Sequence, residues 1–234
     1  MKKIIIIAKK EFLEHLNSGQ IMVMGVAFLT IIGSYFVENL FMVNRSTLYH
    51  MFEFLPYINM VLIPALTMGS FAGEYSMGTM ELLVTLPFSR MEIIWGKILG
   101  NFLIYLVLLA STLIHFITLI FIGSPDWGQT LSCYLAAMLL GLIFVSIGIF
   151  SSSLSKSSIT GFVVAFVICS IFVYLDHAST LTKGFTSTFL QHLSVLYPYK
   201  NMLRGVIDLR SLTYFFSLFS FFFYLIKLSF EGSD

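Results

Sequence analysis

Charge is what this sequence has least of. Only 11% of its 234 residues are Asp, Glu, Lys or Arg, whereas 58% are hydrophobic and the mean hydropathy is +0.92. A soluble domain carries about 25% charged residues, so this chain cannot cover a water-facing surface and reads as an integral membrane protein. Its net charge of +1 gives no electrostatic basis for binding nucleic acid. The two cysteines, Cys133 and Cys169, lie inside apolar runs with no CxxC spacing, which excludes a zinc knuckle or a disulfide framework. The five histidines are scattered and form no H-E-x-x-H, so no metal is expected. There is no G-x-S-x-G, which argues against an intramembrane hydrolase, and no G-x-x-x-x-G-K-[ST]. The chain is therefore not expected to be an enzyme or to hold a cofactor; any ATP it uses must be bound by another chain. The twelve methionines read as flexible filler between helices.

What the sequence does have is long apolar runs. Six of them, near 21–43, 54–73, 97–122, 130–153, 159–176 and 211–230, approach the roughly 20 residues needed to cross a hydrocarbon core. Residues 1–17 precede them. On a helical wheel Ile4, Ile5, Ala8, Phe12 and Leu16 share one side and Lys3, Lys10, Glu14 and Asn17 the other, which describes an amphipathic interfacial helix with lysines reaching for lipid headgroups. Pro64 is expected to kink the second span. Two small-xxx-small pairs in the fourth, Ala137/Gly141 and Gly148/Ser152, invite close approach by a helix of this chain or of a second copy. Asn59, Asn101 and His115 read as hydrogen-bonding contacts between helices, with a role for His115 in a pathway as the alternative.

Basic residues orient the chain. With the N-terminus in the cytoplasm, Lys2, Lys3, Lys9, Lys10, Arg90, Lys97, Lys156 and Lys227 are inside, and Arg45, Lys183, Lys200, Arg204 and Arg210 outside. Both termini and residues 74–96 are then cytoplasmic. Residues 177–210 form an extracytoplasmic segment too long for a plain loop, expected to dip into the outer leaflet as one or two short helices. Within it Arg204 and Asp208 are an i, i+4 pair broken by Gly205, and Asp208 is placed to cap the last span.

The 74–96 region is the one polar island between two spans. Thr79 can cap a short helix from Met80, with Glu81 in its first turn; Pro87 stops it, and Ser89-Arg90-Met91-Glu92 matches a capping box opening the third span. The short helix carries Leu82, Leu83 and Leu86, which fit either a partner's groove or the ends of neighbouring spans.

In this order, Glu74, Gly78-Thr79, Glu81-Leu82-Leu83, Leu86-Pro87 and Gly96-Lys97 resemble the signature of permease subunits of ABC transporters of the ABC-two class, the type II exporter fold. The resemblance covers nearly the whole chain, and Arg204 to Leu218 is similar to gliding-motility-type and nitrous-oxide-accessory-type permeases. It implies an all-α membrane fold: an amphipathic first helix, six spans, a cytoplasmic coupling helix between the second and third, and re-entrant helices before the sixth. It implies that Thr79 to Leu86 seats in a cytosolic ABC ATPase, with Glu74, Gly78, Thr79, Glu81, Leu82, Leu83 and Leu86 at the joint. It also implies a second permease copy, identical or related, and residence in a bacterial inner membrane. A scaffold or channel subunit without an ATPase is the competing expectation.

Overall fold

The computed structural model describes residues 2–42, 47–80, 87–123 and 125–231, and all regular structure among them is helical. Helix α1 (Lys2–Asn17) is followed by α2 (Gly19–Met42), α3 (Tyr49–Thr67) and a short α4 (Ala72–Met77). Then come α5 (Arg90–Ser111), α6 (Leu113–Ile122), α7 (Trp127–Leu154), α8 (Ser158–Leu181), α9 (Phe185–Leu193), α10 (Leu196–Leu203) and α11 (Leu209–Glu231). Six helical stretches among the described residues are long and apolar enough to cross a membrane: Gly19–Glu38, Tyr49–Met77, Arg90–Ile122, Trp127–Leu154, Ser158–Leu181 and Leu209–Phe230.

Several expected span ends move. The second span begins at Tyr49, not near 54, and α4 carries helical structure past 73 to Met77. The third begins at Arg90, where Ser89 and Glu92 form the expected capping box: the Glu92 N–H donates to Ser89 Oγ at 3.2 Å and the Ser89 N–H to Glu92 Oε2 at 2.9 Å. Helix α5 is separated from α6 by the single residue Thr112, where Ser111 and Thr112 turn their hydroxyls back onto the carbonyls of Leu108 and Leu109, a bonding pattern that bends helices. His115, next to that break, bonds the carbonyl of Thr112 in its own segment and packs its ring edgewise on Phe36 of α2. The expected helix-to-helix hydrogen bond from His115 is replaced by a ring contact.

Helix α7 is the central post. The ring of Tyr105 (α5) occupies the space beside Gly141, and the side chain of Thr67 (α3) occupies that beside Gly148. Both small-residue pairs are thus covered by helices of the same chain. Asn59 of α3 donates to the Tyr105 hydroxyl at 2.9 Å, which donates to the Ala137 carbonyl at 3.0 Å, so three helices share one buried chain of bonds.

Proline is accommodated by partners. Pro56 lies inside α3 and has no N–H to give the carbonyl of Phe52 one turn earlier. That carbonyl accepts instead from the buried Tyr199 hydroxyl of α10 at 2.7 Å. Where α3 ends, Ser152 of α7 accepts from the N–H groups of Phe71 and Ala72 and donates to the carbonyl of Met68, each at 3.0 Å. Ser152→Ala therefore strands two buried donors, and is expected to lower stability by about 2 kcal/mol or more, read as a fall in the thermal unfolding midpoint in detergent.

At the opposite end of the bundle the long segment folds as α9 and α10. Gln129 and Ser132 of α7 take up the carbonyls of Leu203 and Met202 at the end of α10, and Lys200 pairs with Asp176 of α8 at 2.7 Å. Helix α10 ends at Leu203 and Gly205 has φ +86°, so Arg204 and Asp208 are not a pair on one helix. Asp208 does cap the last span: its Oδ1 accepts from the Arg210 N–H at 3.1 Å.

Candidate functional site

The site forms where α1, the α3–α4 turn and the start of α5 meet. An ammonium in an apolar bundle must find carboxylates or carbonyls, and Lys97, 1% exposed, finds three. Its Nζ lies 2.8 Å from Glu11 Oε1, 3.0 Å from Glu74 Oε1 and 2.5 Å from the carbonyl of Ser70, with the Phe71 ring centroid at 4.9 Å. Glu11 belongs to α1 and Glu74 to α4, so one ammonium joins three segments. One turn further along α5, Asn101 donates to Ser70 Oγ at 3.0 Å, and its Oδ1 lies 3.1 Å from His15 Nε2 of α1.

Backbone proximity makes these short bonds possible. A Cβ on Gly96 would lie 2.6 Å from Ile7, and one on Gly100 would lie 2.6 Å from Glu11 Cβ and 3.0 Å from the Ala8 carbonyl. The G-x-x-x-G at 96–100 is thus the seat of α1, which runs alongside α5 with Ile7, Ala8 and Glu11 buried against it. The wheel had grouped Ile4, Ala8 and Phe12 with Ile5 and Leu16 on one apolar side. Contact with α5 divides that side, because Glu11 is drawn in by Lys97 while Ile5 and Leu16 stay exposed.

The polar side of α1 meets the ends of the island. Lys10 Nζ lies 3.3 Å from Glu14 and 3.7 Å from Glu74, and Lys3 Nζ donates to the Pro87 carbonyl at 2.6 Å. Partial burial works to lower the pKa of Lys10, but the carboxylates of Glu11, Glu14 and Glu74 outweigh it and hold the ammonium above its ordinary value. Between α1 and α4 lies a cleft of about 540 Å³ whose lining includes Lys10, Glu14, His15, Ser70, Glu74 and Met77.

Of the residues expected at the joint, Glu74 is turned inward, its side chain 14% exposed on Lys97. Gly78 has φ +70° and caps α4 in the left-handed conformation that favours glycine. The Thr79 N–H donates to the Glu74 carbonyl at 3.0 Å, and its hydroxyl reaches the same oxygen at 3.4 Å. Glu81, Leu82, Leu83 and Leu86 lie outside the described residues. Arg204 and Asp208 sit at the far end of the bundle and take no part. Glu11 and Gly100 were not singled out by sequence reasoning, and Gly96 entered only through the Gly96-Lys97 motif. The signals were a lysine at the mouth of an apolar span, which requires a carboxylate at its depth, and the G-x-x-x-G itself.

An all-helical chain with six candidate spans and a charged joint at one end defines a multi-pass membrane protein. The family model described as ABC-2 family transporter protein matches residues 5–229, and the chain belongs to that family. It is the membrane-embedded permease part of a transporter and not itself an enzyme, since permeases of this family lack the ATPase domain. No curated protein matches it significantly.

Proposed function

We propose that the chain is the permease of an ATP-driven exporter, working as a pair of permeases, identical or related, with a separate cytosolic ABC ATPase. Residues 79–86 receive the ATPase. One observation carries this reading: α1 is tied to both flanks of that segment, through Lys10 to Glu74 and through Lys3 to the Pro87 carbonyl, while Lys97 ties Glu74 and Glu11 to the third span. A push on the segment would reach α1, α4 and α5 together. That is the two-state element which a ligand bound elsewhere needs in order to act.

The charge distribution supports a cytoplasmic location for this end. Lys2, Lys3, Lys9, Lys10, Arg90, Lys97, Lys156 and Lys227 lie on it, as does Phe230 near the end of α11, packed on Phe71. Lys183, Lys200, Arg204 and Arg210 lie on the other, with α9 and α10 toward the outer leaflet of a bacterial inner membrane. In this reading Glu74 is the anchor of the joint and not a surface contact. Leu82→Asp with Leu83→Asp is expected to abolish co-purification of the ATPase while the permease remains folded. Undiminished ATPase binding by that variant would refute the assignment.

A further inference from the structure

Helix α1 has three faces, and among the described residues two of them have partners. Ile7, Ala8 and Glu11 face α5, and Lys3 and Lys10 face the flanks of the 79–86 segment. The third face is opposite the α5 contact. It carries Ile5 at 61% exposure, Ile6 at 59%, Leu13 at 43% and Leu16 at 37%, with Lys2 and Lys9 exposed among them.

The charge on this face has one sign. Glu11 is buried on Lys97, and Glu14 is engaged by Lys10 on the neighbouring face. Lys2 and Lys9 are seven residues apart, about 10 Å along the helix axis, and among the described residues neither makes an ion pair or a side-chain hydrogen bond. Apolar side chains flanking bare ammonium groups, with no carboxylate between them, match the boundary between acyl chains and anionic headgroups. A cytosolic protein surface would leave the four apolar side chains in water.

We propose that this face is a docking site for anionic phospholipid of the cytoplasmic leaflet, with headgroup phosphates on Lys2 and Lys9, and that its occupancy tunes the coupling joint. The regulatory part rests on the coupling role proposed above; the lipid site does not. Lipid holding the outer face of α1 fixes the helix that grips both flanks of the segment. A push from the ATPase is then passed to α5 and not lost in movement of α1.

The test uses the full chain in nanodiscs of phosphatidylcholine alone or mixed with phosphatidylglycerol, read by amide hydrogen exchange over residues 2–17. Phosphatidylglycerol is expected to slow exchange there. With about fivefold in affinity for each lysine near the surface, Lys2→Gln with Lys9→Gln should weaken the lipid's effect roughly thirtyfold, and high salt should weaken it too. Lys183→Gln, at the other end of the bundle, should leave it intact. No phosphatidylglycerol effect on the unmodified chain, or an equal effect on the double variant, overturns the lipid site. So does protection that appears only with two chains per disc, which assigns the face to a second copy. In the complete transporter, phosphatidylglycerol should raise ATP hydrolysis only when Lys2 and Lys9 are present. If exchange responds and hydrolysis does not, the regulatory part fails and the lipid site stands. Loss of ATPase binding by the Leu82→Asp, Leu83→Asp variant remains the separate test of coupling.

Discussion

Lys97→Ala is expected to destabilise the permease by about 3–5 kcal/mol, the range for removing one partner from a buried ion pair. The magnitude comes from what is left behind. Glu11 and Glu74, with side chains 7% and 14% exposed, would face each other across an empty site, and the Ser70 carbonyl would lose its donor. Buried Oε2 of Glu74 already has no hydrogen-bond partner among the described residues, so loss of Lys97 removes the closest compensation for that carboxylate. Thermal unfolding in detergent measures the loss. The triple variant Lys97→Met, Glu11→Leu, Glu74→Leu is expected to recover most of it, because replacing a whole buried ion cluster by apolar groups is often neutral or stabilising. A triple variant as unstable as Lys97→Ala would mean that the cluster's bonds, and not its orphaned charges, set the magnitude.

The second large effect is expected from filling the seat of α1. Gly96→Leu with Gly100→Leu puts side chains where Ile7 and Glu11 Cβ now lie, 2.6 Å from the first added atom, and against the Ala8 backbone. Overpacking costs about 1–3 kcal/mol at each such position. A flexible side chain can step aside, but a backbone carbonyl cannot, so α1 itself must move. Amide exchange over residues 2–17 should rise by an order of magnitude or more, while the α3–α7 contacts around Thr67 and Gly148 stay protected. Gly19→Ala, where nothing lies within 4 Å of the added atom, should change neither. Displacement of α1 should also uncouple ATP hydrolysis, since Lys3 and Lys10 leave the flanks of the segment with it.

The spans were legible because apolar length is a local property, and so were the Ser89 capping box and the Asp208 cap, each written within four residues. What escaped was set by distance in sequence. Glu11 and Lys97 are 86 positions apart, and nothing in the pattern of α1 marks Glu11 as different from Glu14, which lies on the same helix and is exposed. Packing against Gly96 and Gly100 decides which of them is buried. The turn between α3 and α4 was likewise invisible: Ser152 makes it possible from 80 residues away by taking the N–H groups of Phe71 and Ala72. His115 shows the opposite failure. A polar ring inside a span suggested a partner on another helix, whereas the break at Ser111 and Thr112 offered it a carbonyl in its own segment.

Glu74 changes most in meaning. The resemblance implied a polar contact at the ATPase joint; the geometry pairs the Glu74 carboxylate with Lys97 and leaves its side chain 14% exposed. Under the proposed function two tasks are divided: Lys97, Glu11 and Glu74 hold α1, α4 and α5 together, and residues 79–86 would receive the ATPase.

A photoreactive side chain in place of Leu83 tests that division most directly. Irradiation of the assembled complex is expected to join the permease to its ATPase in high yield, with little product when the same group replaces Lys183. Cross-links from position 83 to lipid or to the permease alone, with the ATPase present and unlabelled, would contradict the account.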